Sequence, residues 1–115
     1  MIVYRKSYQL AVDVFHETKI FPKEELYSLT DQIRRSSRSV AANIAEAWPK
    51  RKYPKLFVSK LIDAAGEASE TEFWLDMSKD VGYLSSEIYQ DFLYRCQETE
   101  KMLSRMINHP DKFCY

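Results

Sequence analysis

The residues with the clearest chemical potential are cations that cluster in the middle of the chain. Residues 34–60 hold eight Lys or Arg and one acidic residue, a net charge of +7, although the whole chain is neutral. Guanidinium groups can grip phosphate oxygens in a bidentate fork, and a cationic patch produces salt-dependent binding to nucleic acid. The pattern therefore predicts a contact with RNA or DNA at the turn between the second and third helices, through Arg34, Arg35, Arg38, Lys50, Arg51, Lys52 and Lys55.

The same cations have a second interpretation, which is pairing with acidic helices. Residues 61–115 hold eleven Asp or Glu and five Lys or Arg, a net charge of −6. Complementary charged surfaces set the register of a contact within one chain or between subunits. The alternative prediction is thus a protein-interaction scaffold whose basic segment pairs with acidic helices of neighbouring subunits, and the sequence leaves both interpretations open.

Catalytic and metal-binding patterns are poor. A di-iron site in a helical bundle needs Glu-x-x-His pairs. His16 has Asp13 at that spacing, and His109 has Met106. The serines of segment 36–39 have no histidine close to them in the sequence, so no catalytic triad can be argued. We expect a protein that is not an enzyme and holds no metal or cofactor.

The cysteines and the N-terminal residues predict a cytoplasmic protein. Cys96 and Cys114 do not form a CxxC pair and are expected to be free thiols in a reducing compartment. The first ten residues lack the pattern of a signal peptide, and no apolar run approaches the length of a membrane span. We therefore expect no membrane association.

Helices must position these residues, because 2 Gly and 4 Pro are too few for the many turns of a β domain. Apolar residues at helical spacing predict four helices in one domain, 1–115, over about residues 4–20, 30–48, 53–81 and 86–108. Thr30 is the expected N-cap of the second helix, and Gly82 the left-handed residue after the third. Short links favour an all-α, antiparallel, up-down-up-down four-helix bundle.

Two features predict a homo-oligomer. Gly66 stands in the third helix among small residues, where it lowers helix propensity, so close packing by another backbone is expected. The 8 Tyr, 6 Phe and 2 Trp are many for a small core, and some should face a partner.

Asn43 and Glu46 are polar residues on a mostly apolar helix and are expected to make structural contacts that fix its register.

The second helix carries a longer motif, Gln-Ile-Arg-Arg-Ser-Ser-Arg-Ser-Val-Ala-Ala-Asn-Ile-Ala-Glu at 32–46. It resembles the QxRRAxxSxxxNIAEG pattern of the 23S rRNA intervening-sequence protein family, also called four-helix bundle proteins. Residues 21–30, the Gly66–Glu70 stretch and the Gly-Tyr-Leu at 82–84 are similar to further motifs of that family. Ala47 departs from the pattern, which has Gly there, so the second helix is expected to end differently.

This resemblance implies an antiparallel bundle that assembles into a ring-like homopentamer. Some members of the family are encoded in insertions within bacterial 23S rRNA genes. The accessory protein of diversity-generating retroelements looks similar and works with nucleic acid. The resemblance thus favours a nucleic-acid role without naming a substrate, and it gives Asn43, Glu46, Gly66 and Glu70 as structural motif residues.

Overall fold

Four α-helices and no strand make up the computed structural model, which describes all 115 residues. The helices are α1 (Ile2–Glu17), α2 (Leu29–Ala47), α3 (Pro54–Asp80) and α4 (Ser86–Asn108). Helix α1 packs against α2 and α4, and α3 packs against the same two helices. Short 3₁₀ turns lie at Thr18–Ile20, Lys23–Glu25, Trp48–Lys50 and Pro110–Lys112. The all-α prediction is confirmed.

Local sequence explains most helix ends. Pro54 opens α3, where its missing N–H and fixed φ cost nothing. Gly82 follows α3 with φ +84°, the left-handed conformation expected of it. The Tyr83 amide then donates to the Ser78 carbonyl oxygen at 2.8 Å, which satisfies one open carbonyl of the last turn. At the start of α4, the Ser85 hydroxyl caps the helix by accepting from the Ile88 amide at 3.2 Å.

The predicted N-cap of α2 is wrong. The helix begins at Leu29, one residue before Thr30, and both side chains are buried. Starting earlier places Leu29 and Ile33 on the same inner face, four residues apart. The Thr30 hydroxyl, expected to cap the helix, is instead a buried oxygen with no hydrogen-bond partner.

The core is one apolar cluster to which all four helices contribute. The stripe predicted on α3 is wholly buried: Phe57, Leu61, Ala64, Ala68 and Leu75 are each 0% exposed. Most of the seam predicted on α4 is also buried, from Phe92 to Met106. Buried hydroxyls also join helices: the Thr71 hydroxyl donates to the Ser36 Oγ at 3.0 Å and links α3 to α2.

The helices lie along the long axis of the molecule. Its extents are 47 × 24 × 18 Å, and α3 alone, with 27 residues, is about 40 Å long. The turn between α2 and α3 is consequently at one end of the molecule. No helix has both the length and the apolar composition needed to cross a bilayer.

Candidate functional site

The seven cations expected to form one basic surface fall into two groups. Arg34, Arg35 and Arg38 lie in the first half of α2, whereas the other four lie beyond its last residue, Ala47. A helix rises about 1.5 Å per residue, so Arg38 and Lys50 are separated by about 18 Å along the axis. The turn between α2 and α3 therefore receives only four of the seven.

Two members of the first group, Arg34 and Arg38, lie against an aromatic ring on α1. The guanidinium carbons of Arg34 and Arg38 lie 4.7 Å and 5.6 Å from the centroid of Phe15, and the Lys19 Nζ lies 5.0 Å from it. The Arg34 Nε also donates to the Thr18 Oγ1 at 2.8 Å. Cations over a ring face are attracted by its quadrupole. Arg34 on α2 thus contacts both Phe15 and Thr18 at the C-terminal end of α1.

Arg35 is occupied by acidic residues of α3. Its guanidinium donates to the Glu67 carboxylate at 3.4 Å and forms a short hydrogen bond to Glu70. That bond to Glu70 is the largest cause of the raised pKa of Arg35. Glu70 also accepts from the Trp74 indole N–H at 3.2 Å. Part of the basic segment therefore pairs with an acidic helix inside the same chain.

The second group is called here the basic turn and consists of Lys50, Arg51, Lys52 and Lys55. None of the four forms an ion pair within the chain.

An aromatic platform supports the basic turn. The Arg51 guanidinium carbon lies 3.8 Å from the ring centroid of Trp48 and 5.2 Å from that of Tyr115. Its Nε donates to the Trp48 carbonyl oxygen at 2.9 Å, which fixes the side chain. Tyr53, in the same turn, is 57% exposed. Cations without an acidic partner can contact phosphates, and the exposed rings beside them can stack on bases.

The polar motif residues of α2 lie near this turn. Asn43 is half-buried, and its Nδ2 donates to the Ser39 carbonyl oxygen at 2.9 Å within α2. Glu46 is exposed and pairs with Lys60 on α3. The hydrogen bond from Lys60 is the largest cause of the lowered pKa of Glu46, and the charge of Lys50 adds to it. Glu46 accordingly links α2 to α3.

Gly66, by contrast, has no packing role within the chain. It is exposed, and a Cβ added there would meet nothing within 4 Å. No part of this chain makes the close approach expected at this residue.

Sequence reasoning missed an apolar groove of about 510 Å³ between α1 and α2. Helix α1 lines it with Tyr4, Tyr8, Ala11, Val12 and Phe15. Helix α2 adds Arg38, Ala41, Ala42 and Ala45. A signal existed, because the α1 residues recur at helical spacing on a face beside the core stripe.

A pair of carboxyl groups between α3 and α4 was also missed. Burial, followed by the hydrogen bond and charge of Glu72, raises the pKa of Glu100 to about 7. The Ser69 hydroxyl donates to the Glu100 Oε1 at 3.2 Å, and the Gln97 amide donates to the Glu72 Oε1 at 3.1 Å. Burial also raises the pKa of the adjacent Cys96 thiol, which leaves that thiol protonated and unreactive.

Metal ligands do not converge anywhere in the chain: no group of three or more His, Cys, Asp or Glu side chains has a suitable arrangement. Neither cysteine forms a disulfide.

Comparison with known proteins identifies the family. The family model for the 23S rRNA-intervening sequence protein matches residues 1–105. A crystal structure of a protein of unknown function from the S23 ribosomal protein family of Bacteroides thetaiotaomicron is 32% identical. The similarity covers 93% of this chain and 96% of that one, with a TM-score of 0.84. No curated protein matches. The chain belongs to the 23S rRNA-intervening sequence protein family.

Proposed function

We propose that the chain is a non-enzymatic helical scaffold that self-associates and binds RNA or DNA through the basic turn. The observation that carries this proposal is a set of four cations with no acidic partner within 4.0 Å, namely Lys50, Arg51, Lys52 and Lys55. Arg51 lies against the exposed ring of Tyr115, and the exposed Tyr53 belongs to the same turn. Unpaired cations release counterions when they meet phosphates, and exposed rings stack on bases without regard to sequence.

The proposed architecture is an antiparallel up-down-up-down bundle. Contacts between α3 and α4 support it, because Ser69 meets Glu100, whereas Asp76, later in α3, meets Tyr89, earlier in α4. The pairs Arg35–Glu70 and Glu46–Lys60 have the same reversed order in α2 and α3. Lys6–Glu98 and Asp13–Arg95 have it in α1 and α4.

The proposed assembly is a ring-like homopentamer, as the family resemblance implies. The names of the matching family and of the similar structure refer to 23S rRNA and to a ribosomal protein family. Those names suit an RNA ligand better than a DNA ligand for this chain.

The basic turn, rather than all seven cations, is the proposed contact surface. Arg34 and Arg35 are held by Thr18, Glu67 and Glu70 within the chain. Reversing their charge would disturb helix packing as well as any nucleic-acid contact. Variants at Lys52 and Lys55, which are exposed and unpaired, separate the two effects.

The test is fluorescence anisotropy of labelled RNA and DNA with Lys52→Glu/Lys55→Glu. Losing two phosphate contacts should weaken binding about tenfold or more near physiological salt and reduce the salt slope by about two. The matched control is Lys23→Glu/Lys101→Glu, which changes net charge equally at two exposed lysines elsewhere. An equal loss in both variants would show only a general charge effect, and absence of binding by the unmodified chain at low salt would reject the RNA and DNA role.

A second candidate is a protein-interaction scaffold in which the basic segment, residues 34–60, pairs with acidic helices of neighbouring subunits. The pairing of Arg35 with Glu67 and Glu70 favours it, because the same two segments already attract each other within one chain. This candidate predicts no nucleic-acid binding at any salt concentration, together with an assembly that loosens as salt screens the pairs.

A further inference from the structure

Two exposed tyrosine rings lie close to Arg51 in the basic turn. Tyr53 is 57% exposed, and Tyr115 is 78% exposed. The Tyr53 ring contacts no other aromatic ring and no cation, and the Tyr115 ring meets only the Arg51 guanidinium. Each ring therefore has a face that is open to a planar group of a ligand.

The residues that follow α4 fold back onto α3 and bring Tyr115 to this turn. The Phe113 ring stacks on the buried Phe57 ring, with centroids 6.4 Å apart. The Tyr115 amide donates to the Arg51 carbonyl oxygen at 3.4 Å. The same residues bring Lys112, which is exposed and forms no ion pair. The surface is thus built from two parts of the chain that are far apart in sequence.

The two tyrosines are close enough for one short ligand to reach both. Residues 51 and 53 are separated by a single residue, and a hydrogen bond joins residue 51 to Tyr115. The nearest backbone atoms of Tyr53 and Tyr115 therefore lie within about 10 Å of each other. A polymer in which planar bases alternate with phosphates can meet the rings and the neighbouring cations together.

The open rings distinguish a single strand from a duplex. Bases inside a duplex are stacked on one another, whereas the bases of a single strand can stack on aromatic side chains. A surface made of cations alone would favour the duplex, because two paired strands carry a denser phosphate charge than one strand. Preference for a single strand is consequently the property that the rings add to the cations.

We propose that the basic turn binds single-stranded rather than duplex nucleic acid, with bases stacked on Tyr53 and Tyr115. The phosphates of the strand contact Lys52 and Lys55 in the turn and Lys112 in the segment that folds back. The inference rests on the proposed function, since it names the class of nucleic acid that the same surface takes. It adds residues 109–115 to that surface.

The test compares a labelled RNA strand of about 12 nucleotides with the same strand paired to its complement, by fluorescence anisotropy at one salt concentration. The unmodified chain should bind the strand more tightly. Tyr53→Ala/Tyr115→Ala should weaken strand binding about 25-fold, or about fivefold for each ring, and change duplex binding less than about twofold. The salt slope should stay the same, because no charge is removed. A DNA strand and its duplex, measured alongside, distinguish RNA from DNA.

Tyr27→Ala is the matched control. Tyr27 is 92% exposed and precedes α2, whose two ends are about 27 Å apart, so its ring is remote from the basic turn. This variant should leave both affinities unchanged. Tyr53→Phe/Tyr115→Phe keeps both rings and should retain strand binding. Circular dichroism should show the fold retained in every variant, because all three tyrosines are exposed.

The outcomes separate this inference from the proposed function. A duplex bound as tightly as the strand, or strand binding that survives Tyr53→Ala/Tyr115→Ala, would overturn the single-strand inference and leave the basic turn as a surface for phosphates alone. An equal loss in Tyr27→Ala would also overturn it. An unmodified chain that binds neither probe at low salt would instead reject the proposed nucleic-acid role, and the inference with it.

Discussion

The Glu72 and Glu100 carboxyl groups meet between α3 and α4 without a cation between them. Burial and the neighbouring charge favour a proton on Glu100, whose pKa is about 7. The Ser69 hydroxyl opposes the shift by donating to the ionised form. Because an unperturbed glutamate has a pKa near 4.5, the folded chain binds more protons than the unfolded chain between about pH 4.5 and 7.

We expect this pair to make stability fall as the pH rises through that window. Stability changes with pH according to the protons bound in the unfolded state minus those bound in the folded state, and here the difference is negative. Glu100→Gln keeps a neutral, hydrogen-bonding side chain, so it should flatten the slope and raise the unfolding temperature at pH 8. Thermal unfolding at pH 5, 6, 7 and 8 checks this, with Glu87→Gln, an exposed carboxylate on the same helix, as the control. A slope unchanged by Glu100→Gln would contradict it.

The cations of residues 34–60 differ in whether an acidic residue of the same chain lies close to them. Arg35 has two carboxylates of α3 within reach, whereas Lys52 and Lys55 have none. Only the unpaired lysines can exchange bound counterions for phosphates without first breaking an internal ion pair. The number of cations in the sequence cluster therefore overestimates the number left unpaired on the surface, because acidic residues of α3 neutralise some of them.

At the scale of a helix, Gly66 is the clearest conflict between local preference and position. Glycine within a helix is about 1 kcal/mol less favourable than alanine. No atom of the chain would meet a Cβ at this position, so internal packing does not require a glycine. If a helix of another copy packs on this face of α3 in the proposed oligomer, the missing side chain lets the two helices approach closely.

Gly66→Ala should have opposite effects on the helix and on the assembly. Under conditions in which light scattering gives a monomer, it should raise stability by about 1 kcal/mol, or roughly 4–8 °C in unfolding temperature. In the otherwise unmodified chain it should make the oligomer dissociate at a higher protein concentration. Calorimetry measures the first effect, and light scattering across a dilution series measures the second. A Gly66→Ala oligomer that resists dilution as well as the unmodified one would mean that no helix approaches this position closely.

The helices follow from sequence where one apolar stripe dominates, as in α3, whose predicted stripe is wholly buried. The start of α2 does not follow, because the burial of Leu29 outweighed the capping preference of Thr30. Sequence spacing correctly placed Arg34 and Arg38 on one face, yet α1 supplies the ring that they surround. Contacts between residues of different helices, such as Glu72 with Glu100, leave no periodic pattern in a single sequence from which they could be predicted.

For the whole molecule, a net charge of zero conceals a strong separation of charge along the chain. The basic turn lies at one end of an elongated bundle, whereas the groove between α1 and α2 lies along its side. A scaffold with this arrangement can assemble through its sides and still present the basic turn of every copy to a ligand. Several copies on one ring would raise the effective concentration of basic turns and strengthen a weak single contact.

Salt concentration should therefore act differently on assembly and on ligand binding. Raising it from about 0.1 M to about 1 M shortens the Debye length from about 10 Å to about 3 Å. Nucleic-acid affinity should fall steeply, because phosphate contacts at the basic turn are electrostatic. The mass of the proposed oligomer should persist if its contact uses apolar surface such as the groove between α1 and α2, because burial of apolar surface does not depend on charge screening. Light scattering and anisotropy on the same samples separate the two responses. An oligomer that dissociates over the same salt range would instead place the basic segment against the acidic helices of neighbouring subunits, as the second candidate function requires.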